Sequence, residues 1–421
     1  MHIKKKSFWI TLSLVNLCIV ALLGFTLRTK FLFSIPFIDY RNFLSAHSHF
    51  AFGGWVGLVL TTLLIFQLLP PEIHREKIYT WILAFLEISS VGMVISFPFQ
   101  GYGAAALFFS TLYILTTYVF GFVFIKDIRR TANTRIIKML SLSGVTSLLL
   151  SSIGPAILAY IMITHSGDSN LYRDAVYTFL HFQYNGFFTL SVFALFFSYL
   201  QQKGLSAEPH GQKFALFISL SVLPALFLSL LWHNSTFYYV LAAIGCVLIL
   251  AALFFFIRLG MATNMRVLFS IPLAHALCTM AFLSFGLKMF LNVGTIIPQL
   301  GNAVYGDRPV IIGFLHLVFL AFVTFFIHAR LIEAGYFHRK GKVMRFPFFV
   351  FAFGVISSEI LLGVQGLEIL FKSNNYLYNW LIWGSSIVLF LCVFMIMIAR
   401  FMADDNKKVT GKPVTFANES Y

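Results

Sequence analysis

The sequence predicts an all-α, polytopic integral membrane protein, and three observations support this prediction. Hydrophobic residues make up 59% of the 421 positions and charged residues only 11%, whereas a soluble globular protein carries roughly 25% charged residues. Phenylalanine alone occurs 51 times. Long apolar runs separated by polar breaks recur along the chain, and each is long enough for the ~20 residues that a helical crossing requires. The lipid bilayer is therefore the expected environment.

The apolar runs divide the chain into about twelve transmembrane helices, numbered here as spans 1 to 12. Their expected ranges are 8–27, 43–68, 78–98, 103–125, 137–164, 174–200, 213–232, 236–257, 266–291, 309–332, 346–371 and 378–402. No linker or shift in composition divides the chain, and no internal repeat is evident. We therefore treat residues 1–402 as one twelve-helix transmembrane domain and expect 403–421 to be a disordered cytoplasmic tail.

The distribution of basic residues predicts the orientation. Placing the N-terminus in the cytoplasm puts 23 of the 30 lysines and arginines on the inner side and leaves seven on or near the outer side. Because short cytoplasmic loops carry an excess of basic residues, both termini are expected inside. The same bias accounts for the net charge of +15, so nucleic acid is not an expected partner.

Span 2 opens with two closely spaced histidines. His47 and His49 lie in the motif Ala-His-Ser-His, which is followed by Gly53, Gly54 and Gly57. An imidazole removed from water needs a hydrogen-bond partner or a metal, and an ionisable side chain inside a membrane span is a functional candidate. The glycines allow close approach of a neighbouring helix or of a flat ligand such as a porphyrin. Packing histidines and ligating histidines are both consistent with this motif.

Histidines recur at one expected depth on three spans. His47 and His49 in span 2, His181 in span 6 and His316 in span 10 each follow the arginine at the outer end of their span by about six to eight residues. At ~1.5 Å per residue, each lies about 10 Å below the outer surface. His233 lies slightly above this layer, at the outer end of span 7. Because imidazole suits haem iron and copper, and two histidines from facing helices make a low-spin haem site, this layer predicts a shared ligand.

Three further side chains are candidates for proton transfer. Tyr184 follows His181 by three residues and so shares its helix face; it could donate a proton, or it could make an ordinary contact between helices. Glu87 in span 3 and Glu359 in span 11 lie at intermediate depth, where a carboxyl should be protonated, paired or facing water. Proton relay and structural hydrogen bonding are both open for these two residues.

The opening of span 2, Arg-Asn-Phe-Leu-Ser-Ala-His47-Ser-His49-Phe-Ala-Phe-Gly-Gly-Trp55, together with the twelve-span topology, resembles subunit I of the haem-copper oxidase superfamily, which includes nitric oxide reductases. In that family, one histidine from span 2 and one from span 10 hold a low-spin haem. The resemblance implies that His47 or His49, with His316, holds such a haem, expected to be b-type. It also implies that His181 matches the family's span 6 copper ligand, which makes copper a further candidate cofactor.

The remaining ligands of that family are missing. A second span 10 histidine holds the family's high-spin haem, but the segment here reads Phe314-Leu-His316-Leu-Val318. The family's span 7 histidine pair is also absent, and only His233 lies near that position. A complete dinuclear oxygen-reducing centre is therefore not expected. A second resemblance, to NnrS-type membrane proteins that bind haem and copper and are associated with nitric oxide stress, rests on architecture and scattered histidines.

The leading functional hypothesis is a haem-binding, divergent oxidase-like protein that transfers electrons or binds a diatomic gas, O2 or NO. It implies a multi-pass protein of a bacterial inner membrane, served by an electron-donor cytochrome or a partner subunit. Turnover as a terminal oxidase or a nitric oxide reductase-like enzyme stays open. The contrasting hypothesis is a transporter or channel in which the histidines, Glu87, Glu359 and Lys288 line a polar path. A third is an assembly subunit whose histidines carry no ligand.

Overall fold

The chain folds as a bundle of helices. The computed structural model describes residues 5–263, 265–301, 307–337, 342–370 and 375–410, and all regular secondary structure in these ranges is helical. Eleven of the described helices are long and apolar enough to cross a membrane. The prediction of an all-α, polytopic membrane protein is therefore confirmed.

The predicted spans correspond to helices that extend several residues further at many ends. Spans 1 to 5 are Lys6–Leu32, Tyr40–Leu68, Lys77–Gln100, Ala104–Arg130 and Arg135–Thr164, and span 6 comprises Ser169–His181, Phe182–Phe188 and Thr189–Gln202 in unbroken succession. Spans 7 to 12 are His210–His233, Thr236–Ala262, Pro272–Gly294, Arg308–Glu333, Lys342–Leu370 and Leu377–Thr410. Two short helices, Pro71–His74 and Met265–Leu268, precede spans 3 and 9.

Span 6 is not among the eleven helices that are apolar enough to be recognised as membrane-crossing. It is long enough to cross, but polar residues such as Gln183 and Asn185 lower its hydropathy. All residues from 181 to 200 are buried by other parts of the protein. Because this helix is surrounded by other helices and not by lipid, it needs no apolar outer surface.

A π-helical segment follows the histidines of the predicted layer in each of spans 2, 6 and 10. These segments are Ala51–Gly57 in span 2, Phe182–Phe188 in span 6 and Leu317–Thr324 in span 10. In span 10 the hydroxyl of Thr324 donates to the carbonyl oxygen of Phe319, five residues earlier, at 2.7 Å. Because π-helical turns are rare and occur frequently at functional sites, their coincidence with the histidines marks this level of the bundle.

The same three segments reveal an internal repeat that the sequence analysis did not detect. His49-Phe-Ala-Phe-Gly-Gly-Trp55 in span 2 matches His181-Phe-Gln-Tyr-Asn-Gly-Phe187 in span 6. Span 10 retains the histidine and two of the three aromatic positions, as Phe319 and Phe322. Spans 1 to 4, 5 to 8 and 9 to 12 form three similar units. In each unit the first span packs on the π-helical segment of the second, and the last two pack together as a hairpin.

The three units close into a ring, because span 12 packs along span 1. Spans 2, 6 and 10 meet in the middle, where the rings of Phe52, Phe188 and Phe319 lie with centroids 4.6 to 5.7 Å apart. The indole N–H of Trp55 donates to the hydroxyl of Thr324 at 3.0 Å and ties span 2 to span 10. The predicted histidine layer therefore lies on the three central helices.

The last helix is longer than predicted. Span 12 continues to Thr410, past the expected end of the transmembrane domain at residue 402. The remainder of the predicted tail, 411–421, lies outside the described residues.

Candidate functional site

His47 faces span 1. Its Nδ1 lies 3.0 Å from the carbonyl oxygen of Val20, and because a carbonyl only accepts, Nδ1 carries the proton and Nε2 keeps the lone pair. The ring packs against Gly24, where an added Cβ would lie 3.1 Å from Cε1 of His47. A hydrogen bond from one ring nitrogen to a backbone carbonyl is how proteins orient ligating histidines. His47 thus presents an oriented, available Nε2.

His316 lies in the same region of the bundle. Electrostatic interactions link its imidazole to His47 and to Arg28 of span 1. Its Nδ1 is buried and has no hydrogen-bond partner among the described residues. His47 and His316 are both half-buried residues although they lie between helices. A buried nitrogen without a partner costs free energy, which a ligand would recover.

Arg28 interacts electrostatically with both histidines of this pair, and a second arginine, Arg308, lies close to Arg28. Arg28 interacts electrostatically with Arg308 and Tyr40, and the guanidinium carbon of Arg308 lies 5.0 Å from the centroid of the Tyr40 ring. Within the described ranges, neither arginine forms an ion pair with a carboxylate. Two neighbouring cations without an anion repel each other, so the pair favours an anionic ligand.

His49 faces the opposite side of span 2. Its Nδ1 lies 2.9 Å from the carbonyl oxygen of Ser45 in the same helix. Its ring centroid is 4.5 Å from that of Phe97 in span 3 and 5.9 Å from that of Tyr102. Residues two apart on a helix point in different directions, so the two histidines of the motif do not share a ligand. His47, and not His49, accompanies His316.

His181 is held by hydrogen bonds at both ring nitrogens. Its Nε2 lies 2.7 Å from the carbonyl oxygen of Val222 in span 7, so Nε2 carries the proton. Its Nδ1 lies 3.1 Å from Nδ2 of Asn185, which donates to it. Neither nitrogen is available to a metal in this arrangement. The predicted role of His181 as a copper ligand therefore has no support from its hydrogen bonds.

His233 lies apart from His181. Its Nε2 is 2.8 Å from Asp174 in an ion pair near the N-terminal end of span 6. Asp174 precedes His181 by seven residues, which is about 10 Å along a helix. No group of three or more metal-binding side chains occurs in the part of the chain that the structure describes. His181 and His233, the candidate copper ligands of spans 6 and 7, therefore do not meet at one site in this arrangement.

Tyr184 lies beside a fully buried lysine. The Tyr184 hydroxyl interacts with the side chain of Ser229. The ammonium group of Lys288, in span 9, donates to the hydroxyl of Thr189 at 2.8 Å and to the carbonyl oxygen of Tyr184 at 3.3 Å. This lysine therefore stabilises the π-helical segment of span 6, because it donates to a carbonyl oxygen within that segment.

The two candidate carboxyls have different surroundings. Glu87 accepts a hydrogen bond of 2.8 Å from the amide of Asn16, which also donates to the carbonyl oxygen of Gly54. Glu359 has a buried oxygen, Oε1, without a partner among the described residues. Glu359 also lines a cavity of about 550 Å³ between spans 6, 7, 9, 10 and 11. The structure therefore separates a carboxyl that supports span 2 from one that faces a cavity.

His328 is an additional buried histidine to which the sequence analysis assigned no role. It is fully buried in span 10, and neither ring nitrogen has a partner among the described residues. Its ring centroid lies 5.3 Å from that of Phe348 and 5.2 Å from that of Phe351. His328 lies in a mostly apolar stretch of the sequence, where no motif marks it as a functional residue. Only the packing shows that its imidazole lacks a partner among the described residues.

Comparison with known proteins identifies the fold. No protein-family model and no curated protein matches the chain. The structure is similar to a heme-copper terminal oxidase determined as a dimer by cryo-EM, with a TM-score of 0.69 over 94% of this chain and 84% of that chain, at 12% sequence identity. At this identity the likeness shows the fold alone. The protein is thus a multi-pass membrane protein with an oxidase-like fold.

Proposed function

We propose that the protein binds one haem between spans 2 and 10, with His47 and His316 as axial ligands, and that it transfers electrons. The observation that carries this proposal is the pairing of His47 and His316 on two central helices, with a nitrogen of each available. The hydrogen bond from His47 to Val20 supports it, because ligating histidines usually have such a partner.

The residues around the pair also fit a porphyrin. Gly24 keeps span 1 close to the His47 ring without a side chain in the way. Arg28 and Arg308 supply two positive charges at the outer end of the site. A porphyrin carries two propionate carboxylates at one edge, and arginine binds carboxylates well. We propose that these arginines hold the propionates and fix the orientation of the ring.

This arrangement favours electron transfer over gas binding at the same site. A haem iron with two histidine ligands supplies one-electron redox chemistry. His47 and His316 would both be used to hold the haem, so the site would offer no open position to O2 or NO. The hydrogen bond to Val20 would keep the His47 ring in the orientation that holds the haem.

Reduction of dioxygen is not part of this proposal. In the family that the sequence resembles, a copper ion beside an open haem takes part in that reaction. Here both nitrogens of His181 are hydrogen-bonded, and His233 is paired with Asp174. These side chains therefore do not support a copper-dependent reaction.

The apolar outer surfaces of the spans fit a lipid bilayer, and the basic-residue distribution supports cytoplasmic termini. We propose a bacterial inner membrane as the location. An electron-donor cytochrome or a partner subunit would deliver or accept the electrons.

Haem analysis of the purified full-length chain from haem-replete cells tests the proposal. We expect about one haem per chain and a Soret band that His47→Ala abolishes. His49→Ala is the matched control, because it removes the neighbouring imidazole of the same motif and should leave the band unchanged. A colourless preparation, or equal loss in both variants, would reject haem binding at this site and would favour the transporter hypothesis.

A further inference from the structure

A groove opens where span 4 ends and span 5 begins, at the junction between the first two of the three similar units. Its volume is about 510 Å³. Its walls are formed by the connecting segment and by one stripe of span 5, with the residues Asn133, Arg135, Lys138, Met139, Leu142 and Ser143. The span 5 positions recur every three or four residues, so they share one face of the helix. The groove therefore runs along the side of span 5 from its N-terminal end.

Charged and apolar walls follow each other along this groove. Arg135 and Lys138 lie in the first turn of span 5, next to the short segment that separates two helices apolar enough to cross a membrane. Met139 and Leu142 lie about 6 and 10 Å further along the helix than Arg135. The groove is thus charged at the level of the membrane surface and apolar below it. A phospholipid has its headgroup and its acyl chains in the same order.

Lys138 spans the gap between the two helices. Its ammonium group donates to the carbonyl oxygen of Arg129, in the last turn of span 4, at 3.2 Å. This bond uses one of the three donors of the ammonium group and leaves two for a ligand. The side chains of Arg129 and Arg130 are exposed in the same last turn. Four basic residues therefore gather where spans 4 and 5 meet.

These four basic residues have no matching carboxylate. None of the described residues that line the groove is acidic, and none of the four forms an ion pair within the described ranges. Asp127, in the last turn of span 4, accepts a hydrogen bond of 2.7 Å from Tyr79 of span 3 instead. The first turn of span 5 contains no acidic residue, and Thr134 gives it no side-chain cap. Because a helix N-terminus itself carries partial positive charge, basic residues there favour a bound anion.

The basic residues between spans 6 and 7 are arranged differently. The ammonium nitrogen of Lys203 lies 5.5 Å from the centroid of the Tyr199 ring, and that of Lys213 lies 5.2 Å from the centroid of the Phe255 ring. Each of these two lysines therefore contacts an aromatic ring of the protein, and neither lines the groove. This contrast distinguishes the groove from the general excess of basic residues that cytoplasmic loops carry.

We propose that the groove binds one anionic phospholipid, with its phosphodiester between Arg135 and Lys138 and an acyl chain along Met139 and Leu142. Arginine and lysine bind phosphate oxygens through charge-assisted hydrogen bonds, and basic pockets between membrane helices at the cytoplasmic side bind lipid headgroups. The bound lipid reduces the repulsion among the basic side chains and connects the first two units. The groove contains none of the residues of the proposed haem site, so failure of either proposal leaves the other standing.

A double substitution tests the charge of the groove. Arg135→Gln combined with Lys138→Gln removes both basic side chains from its walls. Lys203→Gln combined with Lys213→Gln is the matched control, because it removes the same charge from a loop that the basic-residue distribution places on the same side of the membrane.

A single substitution tests the shape of the groove without a change in charge. Ser143 lines the groove, so Ser143→Phe should fill the space that an acyl chain would occupy. Thr146→Phe is its control, because Thr146 is exposed on the same span but does not line the groove. Thermal unfolding of each purified variant checks that it is folded.

The experiment is native mass spectrometry of the purified, delipidated full-length protein titrated with phosphatidylglycerol or phosphatidylcholine. We expect the first phosphatidylglycerol to bind at least about tenfold more tightly than phosphatidylcholine, as for one charge-assisted hydrogen bond. The charge variant and Ser143→Phe should lose this preference, and both controls should keep it. Absence of the preference, or its equal loss in the two double variants, would overturn the proposal. Displacement of the lipid by inorganic phosphate would also overturn it, because the site would then bind the free anion.

Discussion

Replacement of His316 by alanine is the sharpest perturbation of the proposed haem site. The substitution removes one axial ligand and leaves His47 in place. The next histidine in the same span, His328, is 12 residues further along, which places it ~18 Å away along the helix axis. His328 therefore cannot take over the iron. We expect the six-coordinate low-spin spectrum to disappear. Loss of a residue that merely supports a metal ligand lowers metal affinity by ~10–100-fold, so loss of the ligand itself should lower haem affinity by at least that much.

His328→Ala is the matched control for this experiment. It removes a histidine from the same helix whose ring nitrogens contact no partner in the described part of the chain. Both variants are purified in parallel, and their absorption spectra are recorded in the oxidised and dithionite-reduced states, with thermal unfolding as a check on folding. The control should retain the wild-type bands. Equal spectral loss in the two folded variants would refute the assignment of His316 as a ligand.

The remaining predictions concern the two arginines, the second histidine of the span 2 motif and the reaction with oxygen. If Arg28 and Arg308 hold the propionates, the apo-protein should bind haem dimethyl ester more weakly than haem, by about tenfold or more for each lost charge-assisted contact. Arg28→Gln should reduce this difference in affinity. If the arginines bind lipid instead, the substitution would leave the difference unchanged. His49→Ala should retain the low-spin spectrum, and its loss there would mean that the wrong histidine of the motif has been chosen. Haem-loaded protein with an artificial electron donor should consume oxygen far more slowly than an oxidase, and it should contain less than one copper per chain. Rapid oxygen consumption with one copper per chain, both lost in His181→Ala, would contradict this.

Much of the architecture could be predicted from the sequence, because membrane helices leave a strong hydropathy signal. The apolar runs located the twelve long helices that the structure describes, including span 6, whose polar residues reduce that signal. The arginines at the outer ends of spans 2, 6 and 10 made it possible to align their histidines in depth. The π-helical segments after these histidines show that the alignment reflects a repeated structural element.

The identity of the partners of each histidine could not be predicted. His47 and His49 are equivalent candidates in the motif, and only the positions of spans 1, 3 and 10 distinguish them. His181 has the right residue type and depth for a metal ligand, but Val222 and Asn185 occupy both of its nitrogens. Asn185 follows His181 by four residues and shares its helix face, but Val222 comes from span 7. Spacing along the sequence carries no information about a partner on another span.

The internal repeat shows a different limit. The match between the segments that begin at His49 and His181 is present in the sequence, but it covers only a few residues in each unit. In an apolar protein with 51 phenylalanines, a short pattern of aromatic residues is expected by chance. The pattern gains weight only when the structure places a π-helical segment at each copy.

The axial ligation of the iron is the most direct test of the account. Electron paramagnetic resonance and near-infrared magnetic circular dichroism of the oxidised, purified full-length protein distinguish two imidazole ligands from other ligand pairs. The account predicts one low-spin ferric haem per chain with two imidazole ligands, lost in both His47→Ala and His316→Ala. A high-spin haem, a different axial ligand, or a signal that survives either substitution would contradict it.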